Sequence, residues 1–351
     1  MRLLAVWLLL LGRALFAQNW HFVVSGDSRN CGDVVMPAIA KGAIANKAEF
    51  YWHLGDFRAI NRFDQDYAQL HKPTGPNRTL MITDYLANAW PDFIEHQLKP
   101  FGNMPVFLAF GNHDIMPPKT REDWYGQFAD WLDAPIIKEQ RLRDDPDNHS
   151  LHGYYHWIKD GIDFITLDNA GSDFDKEQLE WLHRLLRRDQ ADGAIRAIVV
   201  GMHEALPNSI SADHSMNQTP DGIASGVAVY AWLLDLKKSG KAVYTLGSHS
   251  HYYMEGVYNT EYWRTHGGVL PGWIIGTAGA ERYPLPPAAK DAIVAKTHVY
   301  GYMLATVTSS EQNPVQFEFK QLEEKDVPED VVKKFTPELV HTCWVDNPAP
   351  E

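Results

Sequence analysis

The chain has 351 residues, 45% of them hydrophobic, and a formal net charge of -13. That length buries a core large enough for one sizeable domain with insertions. The acidic balance disfavours a protein that grips long nucleic acid, because phosphate backbones need a basic surface. Short basic patches such as Arg184 to Arg188 fit a solvated helix face.

Arg2 precedes an uninterrupted apolar run, Leu3 to Leu11. Spanning a bilayer takes about 20 residues, whereas the core of a signal peptide takes about 7–15. Cleavage after Ala17 would make residues 1–17 an export signal, place the mature protein in the periplasm or outside the cell, and leave no stable membrane insertion. Arg13 and Leu15 depart from the ideal pattern, and a retained N-terminal anchor is the alternative.

His21 to Ser25 reads as a strand, Val34 to Asn46 as a helix and Phe50 to Leu54 as a second strand. Thr83 to Lys99 reads as a helix stopped by Pro100, and Pro105 to Phe110 as the third strand. Strands Tyr154 to Lys159 and Ile162 to Leu167 flank Asp160-Gly161, a strong hairpin signal. Lys176 to Arg188 carries Leu179, Leu182, Leu185 and Leu186 on one helical stripe. Ala197 to Val200 and Ala242 to Leu246 are buried strands separated by a helix near Val227 to Lys238. Gly301 to Val307 and Val315 to Gln321 are late strands, expected to close the second of two sheets. Residues 18–321 thus form the main domain, and 322–351 an acidic, then Pro-rich, tail packing on it or trailing from it. The alternation argues for an α/β sandwich of two mixed β-sheets with helices outside. The long segments Arg58 to Thr83, Ile115 to His152 and Ala205 to Val227 are candidates for shaping a pocket. Trp124, Tyr125, Phe128 and Trp131 in the second of these read as helix packing rather than pocket wall.

Five polar segments carry the chemistry: Gly26-Asp27-Ser28-Arg29, Gly55-Asp56, Gly111-Asn112-His113-Asp114, Gly201-Met202-His203-Glu204 and Gly247-Ser248-His249-Ser250-His251. Most directly follow an apolar, β-branched run, so their polar side chains stand where strands end. In open α/β sheets that is where ligands bind. Any single Gly-Asp is an ordinary turn. Two aspartates, an asparagine and several histidines converging at strand ends suit hard-to-borderline divalent metals.

The order Asp, Gly-Asp, Gly-Asn-His-Asp, His, His-x-His resembles the calcineurin-like metallophosphoesterase superfamily, which includes the purple acid phosphatases. The resemblance spans roughly residues 20 to 310 and implies a four-layer αββα sandwich. It implies two transition-metal ions (Mn, Fe or Zn, divalent or trivalent). Asp56 would bridge them, Asp27 and His251 would complete the first site, and Asn112, His203 and His249 the second. A metal-bridging hydroxide would attack phosphorus. His113 would act as general acid or transition-state stabiliser. The expected partner is a small phosphorylated substrate, monoester or diester.

Two positions depart from the pattern. Most of the superfamily has Asp-x-His in the first motif, where this chain has Arg29. Purple acid phosphatases have a tyrosine, and calcineurin an aspartate, where this chain has Ala59. Either water or a nearby group such as Asn30 would fill the gap in the first site, or its metal would bind weakly. Arg29 and Arg58 each fit either a contact to substrate phosphate or a structural salt bridge. Cys31 and Cys343, the only cysteines, are either paired or free thiols. The weakened first site keeps a second function class open, a non-catalytic domain of this fold that binds a phosphorylated ligand or a partner protein.

Overall fold

The computed structural model describes residues 19–72 and 79–345. The proposed export signal and the Pro-rich end lie outside the described residues. Among the described residues, no helix is long and apolar enough to cross a membrane.

Among the described residues, twelve strands run β1 (Trp20–Ser25), β2 (Ala48–His53), β3 (Val106–Leu108), β4 (Tyr155–Lys159), β5 (Ile162–Thr166), β6 (Ala197–Gly201), β7 (Ala242–Gly247), β8 (Tyr253–Glu255), β9 (Gly272–Ile275), β10 (Val294–Lys296), β11 (Tyr300–Val307) and β12 (Val315–Leu322). They form two sheets, ordered β12-β11-β1-β2-β3 and β10-β8-β9-β7-β6-β5-β4. Both are mixed: β1, β2 and β3 are parallel, as are β5, β6, β7 and β9, and antiparallel strands lie at the edges. Helices flank the sheets, giving the α/β sandwich that the alternation implied.

The late strands need correcting. β11 pairs antiparallel with β1, Trp20 opposite Val307, so they complete the first-motif sheet rather than the second sheet. Their alternating pattern fits either sheet; only the long-range register with β1 decides.

Aromatic rings fill the space between the sheets. Phe22 and Phe50 stack at 5.0 Å, and Phe164 meets both rings edge-on, at 5.2 and 5.3 Å. Trp157 stacks on Phe107 at 3.9 Å. Strand β6 shows why these strands read as continuous apolar runs. Ala197 and Val199 join the cluster that includes these rings, while Ile198 and Val200 join the one that includes Leu182, Leu185 and Leu233 of helices Lys176–Ala191 and Pro220–Lys238. The β4–β5 turn has both residues left-handed, Asp160 at φ 50 and Gly161 at φ 73, as a two-residue hairpin needs.

Segment 115–152 contains helices Arg121–Leu132 and Pro135–Asp144. Trp124 and Phe128 are buried in the core, in line with the packing reading. The described part of the tail contains two helices, Glu329–Phe335 and Pro337–Val345. Cys343 in the second is disulfide-bonded to Cys31, 312 residues away, so the paired reading holds. The bond fixes the tail beside the loop after β1. Closing such a long loop stabilises by about 4–5 kcal/mol in the chain-entropy model.

Candidate metal centre

The five polar segments converge at the carboxyl ends of β1, β2, β3, β6 and β7. Three residues there adopt the left-handed backbone region: Asp27 (φ 58), Asp56 (φ 61) and His249 (φ 64). Each such conformation costs about 1 kcal/mol or more, and its clustering at one site is the pattern of a functional constraint. The loops brace one another. Asp27 N donates to Gly55 O, and Ser28 N to Asp56 O, both at 3.0 Å. Gly111 has to be glycine, because a Cβ would collide with the Asp56 carboxylate and backbone nitrogen.

Around the second site, His203 Nδ1 donates to the Leu54 carbonyl at 2.9 Å, so in the neutral ring Nε2 carries the lone pair. That Nε2 lies 3.1 Å from Asn112 Oδ1, 3.1 Å from His249 Nδ1 and 3.4 Å from Asp56 Oδ1. With a neutral His203, these acceptors face acceptors. A cation between them removes the repulsion and uses every lone pair. Around the first site, Asp27 Oδ1 lies 3.3 Å from His251 Nε2. Asp27 Oδ1 and Asp56 Oδ2 are fully buried without a hydrogen-bond partner. Orphaned buried carboxylate oxygens carry a desolvation cost that a bound cation offsets. The residues present therefore fit bound metal. The sets Asp56, His203, His249 and Asp27, Asp56, His251 each converge within reach of one ion.

Burial raises the Asp27 carboxyl, but the His251 imidazole beside it outweighs this and holds Asp27 well below the usual carboxylate range. Its Oδ2 accepts from Ser248 Oγ, and from His249 N at 2.6 Å.

His113 Nδ1 donates to the Ala59 carbonyl at 2.6 Å. Position 59 thus still orients the histidine, through backbone rather than a side chain. The His113 Nε2 meets the Arg29 guanidinium. Burial pushes the His113 imidazole down, and the Arg29 charge adds to this. Arg29 is only 5% exposed. It donates to His251 Nε2 at 3.0 Å and lies 3.9 Å from Asp56 Oδ2. It stands inside the site, where a cation on His251 would displace that one contact and release a donor. Asn30 does not fill the first site's gap: its amide is committed to Glu281, at 3.3 and 3.4 Å.

Arg58 requires a correction. It is fully buried, and its guanidinium is held by Asp33 at 2.6 Å, Asp66 at 3.1 Å, Asp64 at 3.8 Å and Asp92. Its guanidinium is thus engaged by four buried carboxylates, which is the salt-bridge reading. Arg58→Ala is expected to cost about 3–5 kcal/mol of stability, the usual effect of leaving buried charges unpaired. Chemical denaturation measures it. An unchanged midpoint with a raised KM would return Arg58 to substrate binding.

Motif reading missed several residues. Asp114 accepts from Gly111 N and Asp56 N, both at 2.8 Å, and Phe57 N at 3.0 Å, so it ties the second and third motif loops together. Burial and the Asp56 charge push its carboxyl up to about 8 against those donors. Asn169 Oδ1 accepts from His203 N and Glu204 N at 3.1 Å and orders the fourth motif. Tyr283 and His214 stand at the rim: the Tyr283 ring stacks on His251 at 3.9 Å and on His214 at 5.0 Å. Asp114 stands in the third polar segment, which did not by itself assign it a role; the other three lie outside any motif.

The calcineurin-like phosphoesterase family model matches residues 21–253, and the chain belongs to that family. This supports hydrolase chemistry on phosphoesters and a site that uses divalent metals. No curated protein matches the chain. Among solved structures, the fold is similar to a purple acid phosphatase from yellow lupin (Lupinus luteus) seeds, with TM-score 0.55 and 14% identity over 87% of this chain. The match spans 52% of that plant protein's length. It is also similar to PhoD, with TM-score 0.51 and 13% identity over 92% of this chain and 76% of that one. A dimetal phosphatase from Danio rerio gives TM-score 0.51 and 11% identity over 86% of this chain and 95% of that one. At these identities the likeness speaks for the fold.

Proposed function

We propose that the chain hydrolyses a small phosphorylated substrate using two metal ions, with His113 as general acid or transition-state stabiliser. The observation that carries this reading is the convergence of lone pairs around His203 Nε2, beside a second group with orphaned Asp27 and Asp56 oxygens. Two bound cations would supply positive charge to a phosphoryl oxygen and an acidified water. The protein's own residues do the rest. Asp56 offers one oxygen to each site. Asn112 offers a neutral oxygen, which keeps the ligand charge low. His113, fixed through Nδ1, presents Nε2 to the substrate side, and Arg29 beside it offers guanidinium donors for phosphate oxygens.

The test is metal analysis of the purified protein together with a panel of phosphomonoesters and phosphodiesters. Two ions per chain are expected. The ion of the first site should leave first under a chelator, since that site has three protein ligands against four. Metal-dependent cleavage of at least one ester is expected. Full metal loading with no cleavage of any ester would overturn the reading in favour of a non-catalytic binding domain.

A further inference from the structure

Tyr283 belongs to no motif, yet its position is fixed from several sides. Its backbone N donates to the His251 carbonyl at 3.3 Å, and its carbonyl accepts from Thr297 Oγ1. Two residues earlier, Glu281 is latched by Arg62 and Asn30. The Tyr283 ring is sandwiched between His251 and His214, and its hydroxyl accepts from Arg29 Nη2 at 3.4 Å. The hydroxyl hydrogen is free to donate elsewhere. A tyrosine hydroxyl can both accept and donate. The surroundings are asymmetric. Arg29, Glu281 and His113 are 5%, 7% and 8% exposed, with Glu281 held by Asn30 and Arg62 behind Arg29. Asn112, His249, His214 and Tyr283 are half-buried.

We propose that Tyr283 and Arg29 form a phosphate clamp that selects phosphomonoesters over phosphodiesters. The inference rests on the phosphoesterase reading and names its substrate class. A monoester carries three non-bridging oxygens. Bound cations would neutralise part of their charge, and an oxygen left over would need hydrogen-bond donors from the protein. The Tyr283 hydroxyl and the Arg29 guanidinium, 3.4 Å apart, are the adjacent donors available to it. A diester has only two non-bridging oxygens. Its second substituent would press against Arg29 and Glu281, leaving the guanidinium desolvated without an anion, which is how a polar site rejects a near analogue.

The experiment compares p-nitrophenyl phosphate with bis(p-nitrophenyl) phosphate, which share a leaving group, and titrates inorganic phosphate into the metal-loaded protein by calorimetry. Tyr283→Phe keeps the ring stack and removes only the hydroxyl; thermal melting confirms folding. The wild type should prefer the monoester. Tyr283→Phe should lower kcat/KM for the monoester about tenfold, the size of one lost hydrogen bond to a charged group. The fall for the diester should be at least fivefold smaller. Phosphate affinity should weaken about tenfold as well, and Arg29→Lys should show the same pattern. Equal losses on both esters with unchanged phosphate affinity, or a wild type that prefers the diester, would overturn the clamp. If neither ester is cleaved, the phosphoesterase reading fails, and the phosphate titration alone decides the clamp.

Discussion

Asp56→Ala is expected to strip both metal ions and lower phosphoester cleavage about 10³-fold or more, since bound metals supply several kcal/mol of transition-state stabilisation at about 1.4 kcal/mol per tenfold. The reason is positional. Asp56 Oδ1 faces His203 and also accepts the backbone N–H of His113 at 2.9 Å, while Oδ2 is the orphaned oxygen of the first site. Asp56→Asn separates the two sites. Its amide oxygen would keep the place of Oδ1, because the His113 N–H needs an acceptor there. The NH₂ would then stand at the first site, where it cannot ligate. Asn is therefore expected to hold one ion, in the Asn112, His203, His249 set, and Ala none. Metal analysis of the two variants reads this directly. Two ions retained at full occupancy in Asp56→Ala would show that the carboxylate bridges nothing.

What could be foreseen, and what could not, follows from the range of the interactions. The ligand residues stand at strand ends, and a strand end is a local event: an apolar run followed by Gly and a polar group. All six expected ligands, with His113, therefore come together in the structure. Arg58 was misleading because it lies two residues from Asp56 in sequence. Its direction is set by the left-handed turns at Asp56 and Ile60 and by aspartates at 33, 64, 66 and 92 that form no motif. The β11 and β12 assignment failed for a similar reason, since sheet membership is a long-range pairing. Some local signals were present and unused. Thr120 and Asp123 form a capping box, and Thr219 caps a helix with Pro220 at its first turn, which would have started those helices correctly. Tyr283 had no such signal, because it reaches the site only through the loop after β9.

His113→Ala is expected to leave both ions bound and to slow cleavage of an ester with a poor leaving group by about 10²–10⁴-fold, the usual contribution of general acid catalysis. Metal retention follows from geometry: Nδ1 is taken by the Ala59 carbonyl and Nε2 by Arg29, so neither nitrogen belongs to a metal set. His203→Ala, by contrast, should lower metal content and activity together, because its Nε2 is the meeting point of the second site. The leaving group separates the two roles open to His113. An alkyl alkoxide needs a proton as the bond breaks, whereas a nitrophenolate leaves without one. A loss confined to the alkyl ester identifies the imidazole as the proton donor. An equal loss on both identifies it as a stabiliser of phosphoryl charge, working with Arg29. The backbone tether adds a further expectation: whichever role holds, His113→Gln should not restore the rate, because the amide lacks a ring nitrogen held opposite a fixed Nδ1–H. Full activity in His113→Ala with metals in place would remove His113 from the mechanism and leave Arg29 as the group facing the phosphate.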